Sequence, residues 1–253
     1  MDTAMKLSDF AEIKELLKVL EENGLLKEKE DVSSLVGYIE RMETKLSEMN
    51  SELQDMHGEV SKIRDGTIKA KCAQLMAKTE EKLIQVKQVV RTCKNNLIIS
   101  ARNAITAFRE KGKEALVSAV NAMRIPAALD AMKNGFRKAA ESMRGNAEKL
   151  DTVREELHEV GFHLGNVGRA LLGKPTKESE QLKKDKGILA KVRNFLQKFG
   201  AKFSEMEKGA GELSSKLRSS YEKQQSVKSE LKALKSAKKE TKSKAPLLKD
   251  KVL

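Results

Sequence analysis

The sequence predicts an all-α protein with an elongated coiled-coil and helical-hairpin architecture built from three long, heptad-patterned helices. Three observations support this fold class. Only 3 of the 253 residues are proline and 4% are aromatic, whereas 34% are charged, and no segment alternates apolar and polar residues as strands do. Apolar residues recur at alternating spacings of three and four along three stretches, which we call seams. Glycine or proline separates the seams.

A short helix is predicted before the first seam, over residues 9–22. Asp9 and Glu12 have the spacing of a capping box, and Asn23 followed by Gly24 is a typical helix stop. The predicted apolar face consists of Phe10, Ile13, Leu17 and Leu20. We expect this helix to fold back on the start of the first seam.

The first seam runs without a gap from Val32 to Ile63 and is the strongest coiled-coil signal in the chain. A lone helix would leave such a stripe in water, so the pattern requires a partner helix. Gly66 interrupts the pattern, which resumes at Ile68, so the coil can continue past the glycine. An Ala-rich segment follows, with a predicted bend at Gly112. The central members of the first seam are Ile39, Met42, Leu46, Met49, Leu53, Met56 and Val60.

The second and third seams are of nearly equal length and are joined by a short connection. The second covers residues 129–171, after a helix start at Pro126, and the third covers residues 189–234. Antiparallel pairing of the two into a helical hairpin is the expected arrangement. Asn146 is the single polar member of the second seam, and we interpret it as a residue that fixes helix register.

These features divide the chain into four regions, and charge is distributed unevenly along it. The formal net charge of +13 is uneven, because residues 1–64 carry −6 whereas residues 65–125 carry +7. Such opposition either orders helices against one another within a bundle or leaves the basic regions free for an anionic partner. The four regions are a short N-terminal helical cap (1–31), an acidic coiled coil followed by a basic Ala-rich helix (32–125), an antiparallel helical hairpin (126–236) and a flexible basic tail (237–253).

We expect a cytoplasmic protein without a transmembrane segment. No apolar run approaches the roughly 20 residues that span a bilayer, and the first residues do not resemble a secretory signal. Cys72 and Cys93 fit a reduced compartment, because a straight helix would hold them about 30 Å apart, too far for a disulfide. In a parallel, in-register homodimer, however, each cysteine could meet its own counterpart.

The sequence shows no catalytic or metal-binding grouping, so we expect a non-enzymatic protein without a metal or other cofactor. Glu155 and His158 have Glu-x-x-His spacing, but the second such pair that a di-metal bundle needs is missing. Residues 168–174 have the spacing of a phosphate-binding loop, but Pro175 stands where that loop requires serine or threonine. The cysteines form no Cys-x-x-Cys motif.

Glycine occurs three times within eight positions late in the second seam, although it weakens helices. Close packing against another helix is one explanation. The other is a polar interaction surface on this part of the helix. Its candidate members are Gly161, His163, Gly165, Asn166, Gly168 and Arg169.

Two blocks of the sequence resemble a known family. The first lies within residues 10–49 and includes Leu-Leu-Lys-Val-Leu-Glu-Glu-Asn-Gly and Asp-Val-Ser-Ser-Leu-Val-Gly-Tyr-Ile; the second covers residues 157–174. Both are similar to an uncharacterised family of helical proteins, with a domain of unknown function, encoded on mobile or conjugative elements of gut-type Gram-positive bacteria. The resemblance implies a bacterial, mobile-element context and supplies no catalytic residues.

The leading functional hypothesis is a scaffold or adaptor that forms a homo-oligomer or binds another helical protein through its seams. The alternative is an accessory protein of DNA transfer or maintenance that binds nucleic acid non-specifically through residues 65–125 and the basic tail, with Arg91, Lys94 and Arg102 on one basic helix. A third hypothesis is association of residues 95–123 with an acidic membrane surface.

Overall fold

The computed structural model describes residues 5–177 and 187–243, with side chains as far as residue 219. These residues form helices and contain no strand, so the predicted all-α class is confirmed for the described part of the chain. A 3-10 turn at Leu7–Asp9 precedes the helices. The helices are α1 (Ala11–Glu22), α2 (Leu26–Ser61), α3 (Gly66–Lys111), α4 (Lys113–Ala122), α5 (Ile125–Leu171) and α6 (Ile188–Ser243).

The four long helices form an up-down-up-down bundle. Each runs antiparallel to its two neighbours, because residue numbers at successive contacts rise along one helix and fall along the next. The contacts are Asn50–Lys87 and Glu43–Lys94 for α2 and α3, Val89–Gly135 and Cys93–Ala128 for α3 and α5, Asp130–Ser214 and Asp151–Arg193 for α5 and α6, and Lys45–Glu205 and Glu59–Lys191 for α6 and α2.

The expectation of three long helices was wrong, because the chain reverses direction between α2 and α3. Asp65 caps the new helix, and its carboxylate accepts hydrogen bonds from the backbone N–H groups of Thr67 and Ile68 at 2.9 and 3.0 Å. The coil therefore does not continue past Gly66, which is the first residue of α3. The first seam packs against helices of its own chain and needs no partner subunit.

The first seam lies in the core of the bundle. Of its central members, Met56 is half-buried and the other six are less than 5% exposed. The core continues through the apolar faces of α3, α5 and α6, where Phe136, Phe199 and Phe203 are fully buried. Burial of these large aromatic side chains contributes strongly to the stability of the core.

The N-terminal helix lies alongside the last turns of α3, where Glu12 and Glu15 pair with Arg102 and Arg109. The predicted capping box at Asp9 was wrong, because Phe10 occupies the N-cap position and the Asp9 carboxylate lies 3.1 Å from the Lys14 ammonium. Ile13, Leu16 and Leu20 are buried, so the helix faces the core through positions similar to those predicted. Gly24, with a φ of +68°, allows the turn into α2.

The second and third seams pair as α5 and α6, which are antiparallel as the sequence predicts. The helices approach closely at Gly200, where an added methyl group would lie 3.4 Å from the Met143 Cβ. Helix α6 continues to Ser243, so residues 237–243 of the predicted flexible tail are helical. Residues 244–253 of that tail lie outside the described part of the chain.

Opposite charges face one another inside this single chain. Acidic residues of α1 and α2 form ion pairs with basic residues of α3 and α6, so the first of the two interpretations of the charge map applies to these pairs. They are Glu12–Arg102 at 2.6 Å, Glu43–Lys94 at 2.9 Å, Glu52–Lys202 at 2.6 Å, Glu59–Lys191 at 3.2 Å and Glu30–Lys216 at 3.5 Å.

Candidate functional site

Helix α5 changes its surroundings near Leu150. Up to that residue its seam is buried against α3 and α6, and Leu150 itself is 1% exposed. Arg193 of α6 then binds Asp151 with 2.6 Å between Nε and Oδ1. Because α5 and α6 are antiparallel, the first residue of α6, Ile188, reaches only the level of about residue 156 of α5. The last 15 residues of α5 therefore extend about 22 Å beyond its partner.

The projecting part of α5 keeps the apolar stripe of the buried part. We call residues 153–171, which comprise this projecting part and the last turn of α5 beside α6, the arm, and the stripe along it the arm seam. The arm seam has the spacing of three and four seen earlier in α5, but most of its side chains face water. Its members are Val153, which is half-buried, and Leu157, Val160, Leu164, Val167 and Leu171, which are 37%, 56%, 67%, 56% and 83% exposed.

The three glycines of the arm lie beside its seam and touch no other helix. A methyl group added at Gly161, Gly165 or Gly168 would meet no described atom within 4 Å. By contrast, one added at Gly209 would lie 3.4 Å from the Tyr38 ring. Close packing within the chain, the first explanation of these glycines, therefore does not account for them among the described residues.

The polar side of the arm holds the chain that leaves the helix. The Asn166 side chain donates to the Lys177 carbonyl at 3.1 Å and accepts from the Lys177 N–H at 2.9 Å. The Arg169 Nε donates to the Pro175 carbonyl at 2.9 Å. Asn166 and Arg169 lie on the helix face opposite the arm seam, so residues 174–177 leave that seam uncovered.

The candidate interaction surface of the sequence is thus split between two roles. Asn166 and Arg169 bind the backbone of the same chain, whereas Gly161, Gly165 and Gly168 flank an open apolar face. His163 is exposed, and its ring lies 5.7 Å from that of Phe162 in an edge-to-face arrangement. The sequence did not reveal the apolar surface, because the period of the seam is the same where a neighbouring helix covers it and where none does.

Charge is distributed unevenly along the arm. Glu155, Glu156 and Glu159 lie near its base beside a single cation, Arg154, and no acidic residue occurs between positions 160 and 177. Arg169, Lys174 and Lys177 make the tip basic. The arm is therefore acidic at the bundle and basic at the far end.

Comparison with protein families gives one match, which covers nearly the whole chain. A family model matches residues 10–251. The chain belongs to a family of unknown function, DUF6674. No curated protein and no solved structure matches it.

A groove of the DUF6674 chain lies between α2 and α6. It has a volume of about 610 Å³, and its lining includes Ser33, Arg41 and Lys45. The Tyr38 hydroxyl at this groove is occupied, because it donates to the Met206 carbonyl at 2.6 Å. The Lys45 ammonium is paired with the Glu205 carboxylate at 2.6 Å. Two of the polar groups at this groove, the Tyr38 hydroxyl and the Lys45 ammonium, are thus already paired within the chain.

Both cysteines of the DUF6674 chain are free thiols in the core. Burial raises the pKa of the Cys72 and Cys93 thiols, which disfavours the reactive thiolate. The Cys93 Sγ lies 3.7 Å from the Ala128 carbonyl of α5. Pairing of each cysteine with its counterpart in a parallel homodimer does not fit this structure, because helices of the same chain cover them.

Metal-binding and membrane-spanning features were sought in the described part of the chain. There, no group of three or more His, Cys, Asp and Glu side chains is arranged to hold a metal ion. Among the same residues, no helix combines the length and the hydropathy that crossing a bilayer requires. The exposed seam of the arm is therefore the candidate functional surface.

Proposed function

We propose that this DUF6674 chain is a non-enzymatic helical scaffold whose bundle presents the arm as a binding surface for a helix of another protein chain. The exposure of the arm seam is the observation that carries the proposal. Leu164 and Leu171 are 67% and 83% exposed, whereas Leu129 and Leu150 of the same helix are at most 1% exposed. Contiguous exposed apolar surface of this kind commonly marks a protein interaction site.

Coiled-coil pairing is the proposed mode of contact. The arm seam keeps the alternating spacing of three and four, which a second helix can match along its whole length. The glycines beside the seam let the partner backbone approach closely, because glycine carries no side chain. The role belongs to the arm rather than to the first seam, which the bundle buries.

Non-specific binding of nucleic acid has less support. Lys94, one of the three residues on the predicted basic face, has a side chain only 12% exposed, and its ammonium lies 2.9 Å from both Glu43 carboxylate oxygens. Arg102 is paired with Glu12. Phosphate groups would have to compete with these carboxylates. Affinity for a short DNA duplex that neither salt nor removal of the tail changes would reject this alternative.

Association with a membrane surface also has less support. The predicted segment, residues 95–123, buries four of its large apolar side chains in the bundle, since Leu97, Ile105, Leu116 and Val120 are at most 5% exposed, although Ile99 is 55% exposed. A membrane-bound amphipathic helix would need those side chains for the lipid. We further propose a cytoplasmic location, which suits the free cysteines, and a mobile-element context, which rests on the resemblance of the two sequence blocks.

Photo-crosslinking in the cells that make the protein tests the scaffold proposal. A photoreactive amino acid replaces Leu164 of the arm in one variant and Ile84 of α3 in a matched control, because Ile84 is 59% exposed and lies on the bundle. We expect a discrete protein adduct from position 164 and none from position 84. Equal labelling at both positions, or no adduct at either, would contradict the proposal.

A further inference from the structure

We infer that the side of the bundle formed by α3 and α5 binds the phosphate backbone of a nucleic-acid duplex. The inference goes beyond the proposed function and does not depend on it, because the surface lies on the bundle rather than on the arm. Three features lead to it: lysines that pair with no described carboxylate, their order along the groove between the two helices, and the polar side chains around them.

The facing segments of α3 and α5 are basic. Residues 71–92 and 131–149 pack against each other, with Val89 beside Gly135, and together hold ten Lys and Arg residues but four Glu residues. Five lysines of these segments form no ion pair within the described part of the chain, and we call them the lysine row. They are Lys71, Lys78, Lys82, Lys138 and Lys149.

Helix periodicity places the lysine row at the groove between α3 and α5. The three lysines of α3 precede Val89 by 7, 11 and 18 residues, which are close to whole numbers of helical turns, so they share its side of the helix. The two lysines of α5 follow Gly135 by 3 and 14 residues and lie on its side of that helix. Lys82 is half-buried, and the other four lysines are exposed.

The register between the helices sets the order of the lysine row. The contacts Val89–Gly135 and Cys93–Ala128 place residue 149 of α5 level with about residue 74 of α3, and residue 138 level with about residue 85. The five positions therefore follow one another at intervals of about 5 Å, over a total of about 21 Å. Each strand of duplex DNA carries one phosphate per about 3.4 Å, so the row spans about six phosphates of one strand.

The other side chains at this groove suit a phosphate backbone. Gln74 is exposed and Ser142 is half-buried, and neutral amides and hydroxyls commonly bind phosphate and sugar oxygens. The one aromatic residue of the two segments, Phe136, is fully buried, so no ring is available to stack on single-stranded bases. Ile84 is exposed but lies five residues from Val89, away from the groove. The groove thus lacks the large apolar side chains that a protein or membrane partner would contact.

The lysine row differs from the predicted basic face of Arg91, Lys94 and Arg102. Lys94 and Arg102 lie toward the acidic helices, where Glu43 and Glu12 pair with them. The lysine row lies on the other side of α3, which faces the basic helix α5 instead. Its charge is therefore available to an anionic partner without competition from a paired carboxylate.

Two carboxylates lie beside the lysine row without pairing with it. Glu81 accepts a hydrogen bond from the Gln85 Nε2 at 2.9 Å, and Glu141 is exposed. Glu81 precedes Val89 by eight residues and Glu141 follows Gly135 by six, so both lie toward the outer surface of their helices. Five cations beside two anions leave a positive local potential, which attracts phosphate groups.

Fluorescence anisotropy of a labelled DNA duplex of about 20 base pairs, more than three times the length of the row, tests the inference. The test variant of the full chain replaces Lys71, Lys78, Lys138 and Lys149 with glutamine. We expect the wild type to bind the duplex, and the test variant to bind it at least about 10-fold more weakly at low salt. The plot of log affinity against log salt concentration should also be less steep for the test variant, by about 3 to 4.

A matched control variant removes four exposed lysines elsewhere. Lys18, Lys62, Lys198 and Lys208 have side chains that are 63–77% exposed, and their replacement with glutamine removes the same amount of charge. The control should bind the duplex within about 3-fold of the wild type, because distant exposed charges are screened by salt. Circular dichroism should show unchanged helicity in both variants, because none of the eight side chains lies in the core.

Two results with the duplex would overturn the inference. The first is a wild type that does not bind the duplex at low salt. The second is equal weakening in the test and control variants, since net charge rather than the lysine row would then govern the affinity.

Two further probes separate a duplex from other anionic partners. Single-stranded DNA of the same length should bind more weakly than the duplex, and tighter binding of the single strand would contradict a duplex surface. Vesicles of phosphatidylcholine and phosphatidylserine should not bind. Vesicle binding that the test variant loses, in a chain that does not bind the duplex, would assign the lysine row to a lipid surface and overturn the inference.

Discussion

At the scale of single residues, Asn146 shows how a polar member of a seam behaves inside a closed bundle. Its side chain is 5% exposed, and its Nδ2 has no hydrogen-bond partner among the described residues. A buried amide N–H without an acceptor has lost its hydrogen bonds to water and gains none in the protein, which destabilises the folded state. The interpretation as a register residue remains a prediction, because register here is also set by the ion pairs between α5 and α6.

We expect Asn146→Leu to stabilise the fold by about 1 kcal/mol, because it removes an unpaired buried donor and keeps a side chain of similar size. Urea denaturation of the wild type and the variant measures the difference. The arm variant Leu164→Glu, which lies outside the core, serves as a reference with little change. A loss of stability in Asn146→Leu would show that the amide makes a contact that matters more than its desolvation.

Tyr38 gives a second prediction at this scale, with a defined pH dependence. Its hydroxyl donates to the Met206 carbonyl at 2.6 Å and joins α2 to α6. Burial raises the pKa of Tyr38 well above its ordinary value of 10.0, although the nearby Arg41 charge acts in the opposite direction. The folded state therefore keeps its proton where the unfolded state loses it, so the Tyr38 contribution to stability is full below pH 10 and declines as the pH rises further.

Tyr38→Phe should lower the free energy of unfolding by about 1 kcal/mol near neutral pH. Above about pH 10 the difference from the wild type should shrink, since phenylalanine has no proton to lose in the unfolded state. Urea denaturation of both proteins at several pH values measures this trend. A difference that grows with alkaline pH would contradict the assignment.

At the scale of helices, the N-terminal caps explain why the sequence did not predict the separate helix α3, which begins at Gly66. Asp9 and Asp65 both stand a few residues before an apolar run, but only the Asp65 side chain caps a helix. The sequence favours Asp9, because Glu12 completes the capping-box pattern and Thr67-Ile68 does not complete one at Asp65. Tertiary packing favours the cap at Asp65, because the reversal between α2 and α3 lets both helices bury their apolar faces against each other.

Removing this cap should weaken the hairpin formed by α2 and α3. Asp65→Ala leaves the N–H groups of Thr67 and Ile68 without a side-chain acceptor, and the expected loss is about 1 kcal/mol in the free energy of unfolding. Asp65→Asn retains an acceptor oxygen and is the matched control. Thermal and urea denaturation of the three proteins provide the comparison. Equal losses in both variants would mean that the carboxylate charge, rather than the cap, is responsible.

At the scale of the whole molecule, the periodicity of apolar residues predicted where helices lie better than it predicted which helices pack together. The 3.5-residue period located α2, α5 and α6, and Pro126 and Gly112 indicated where the chain bends. The period could not distinguish a seam that a helix of the same chain covers, such as Leu46 and Leu53, from one that stays open, such as Leu164. That difference depends on where the neighbouring helices end, and helix ends depend on packing across the whole bundle.

The charge map belongs to this scale as well and leads to the last prediction. Arg102 lowers the pKa of the Glu12 carboxyl by a hydrogen bond, and Lys62 and Lys191 do so for Glu59. Burial raises the pKa of Glu52, but Lys202 and Lys198 outweigh that effect and bring it below its ordinary value of 4.5. Carboxylates with lowered pKa values stabilise the fold above the unfolded pKa, and this contribution disappears as the pH falls through the folded pKa.

The ion pairs between the acidic and basic helices should therefore make the bundle sensitive to acid. A triple variant in which Glu12, Glu52 and Glu59 become glutamine should be less stable than the wild type at pH 7. The difference should shrink as the pH falls below the ordinary value of 4.5 and through the lowered pKa values of the folded state, and it should vanish once the wild-type carboxylates are protonated as well. A control variant replaces three exposed glutamates, Glu110, Glu114 and Glu141, with glutamine and loses the same amount of charge. If the control loses as much stability as the first variant, total charge rather than pairing between helices governs the pH dependence. A larger loss in the first variant would mean that the opposition of charge in the sequence helps to select which helices become neighbours.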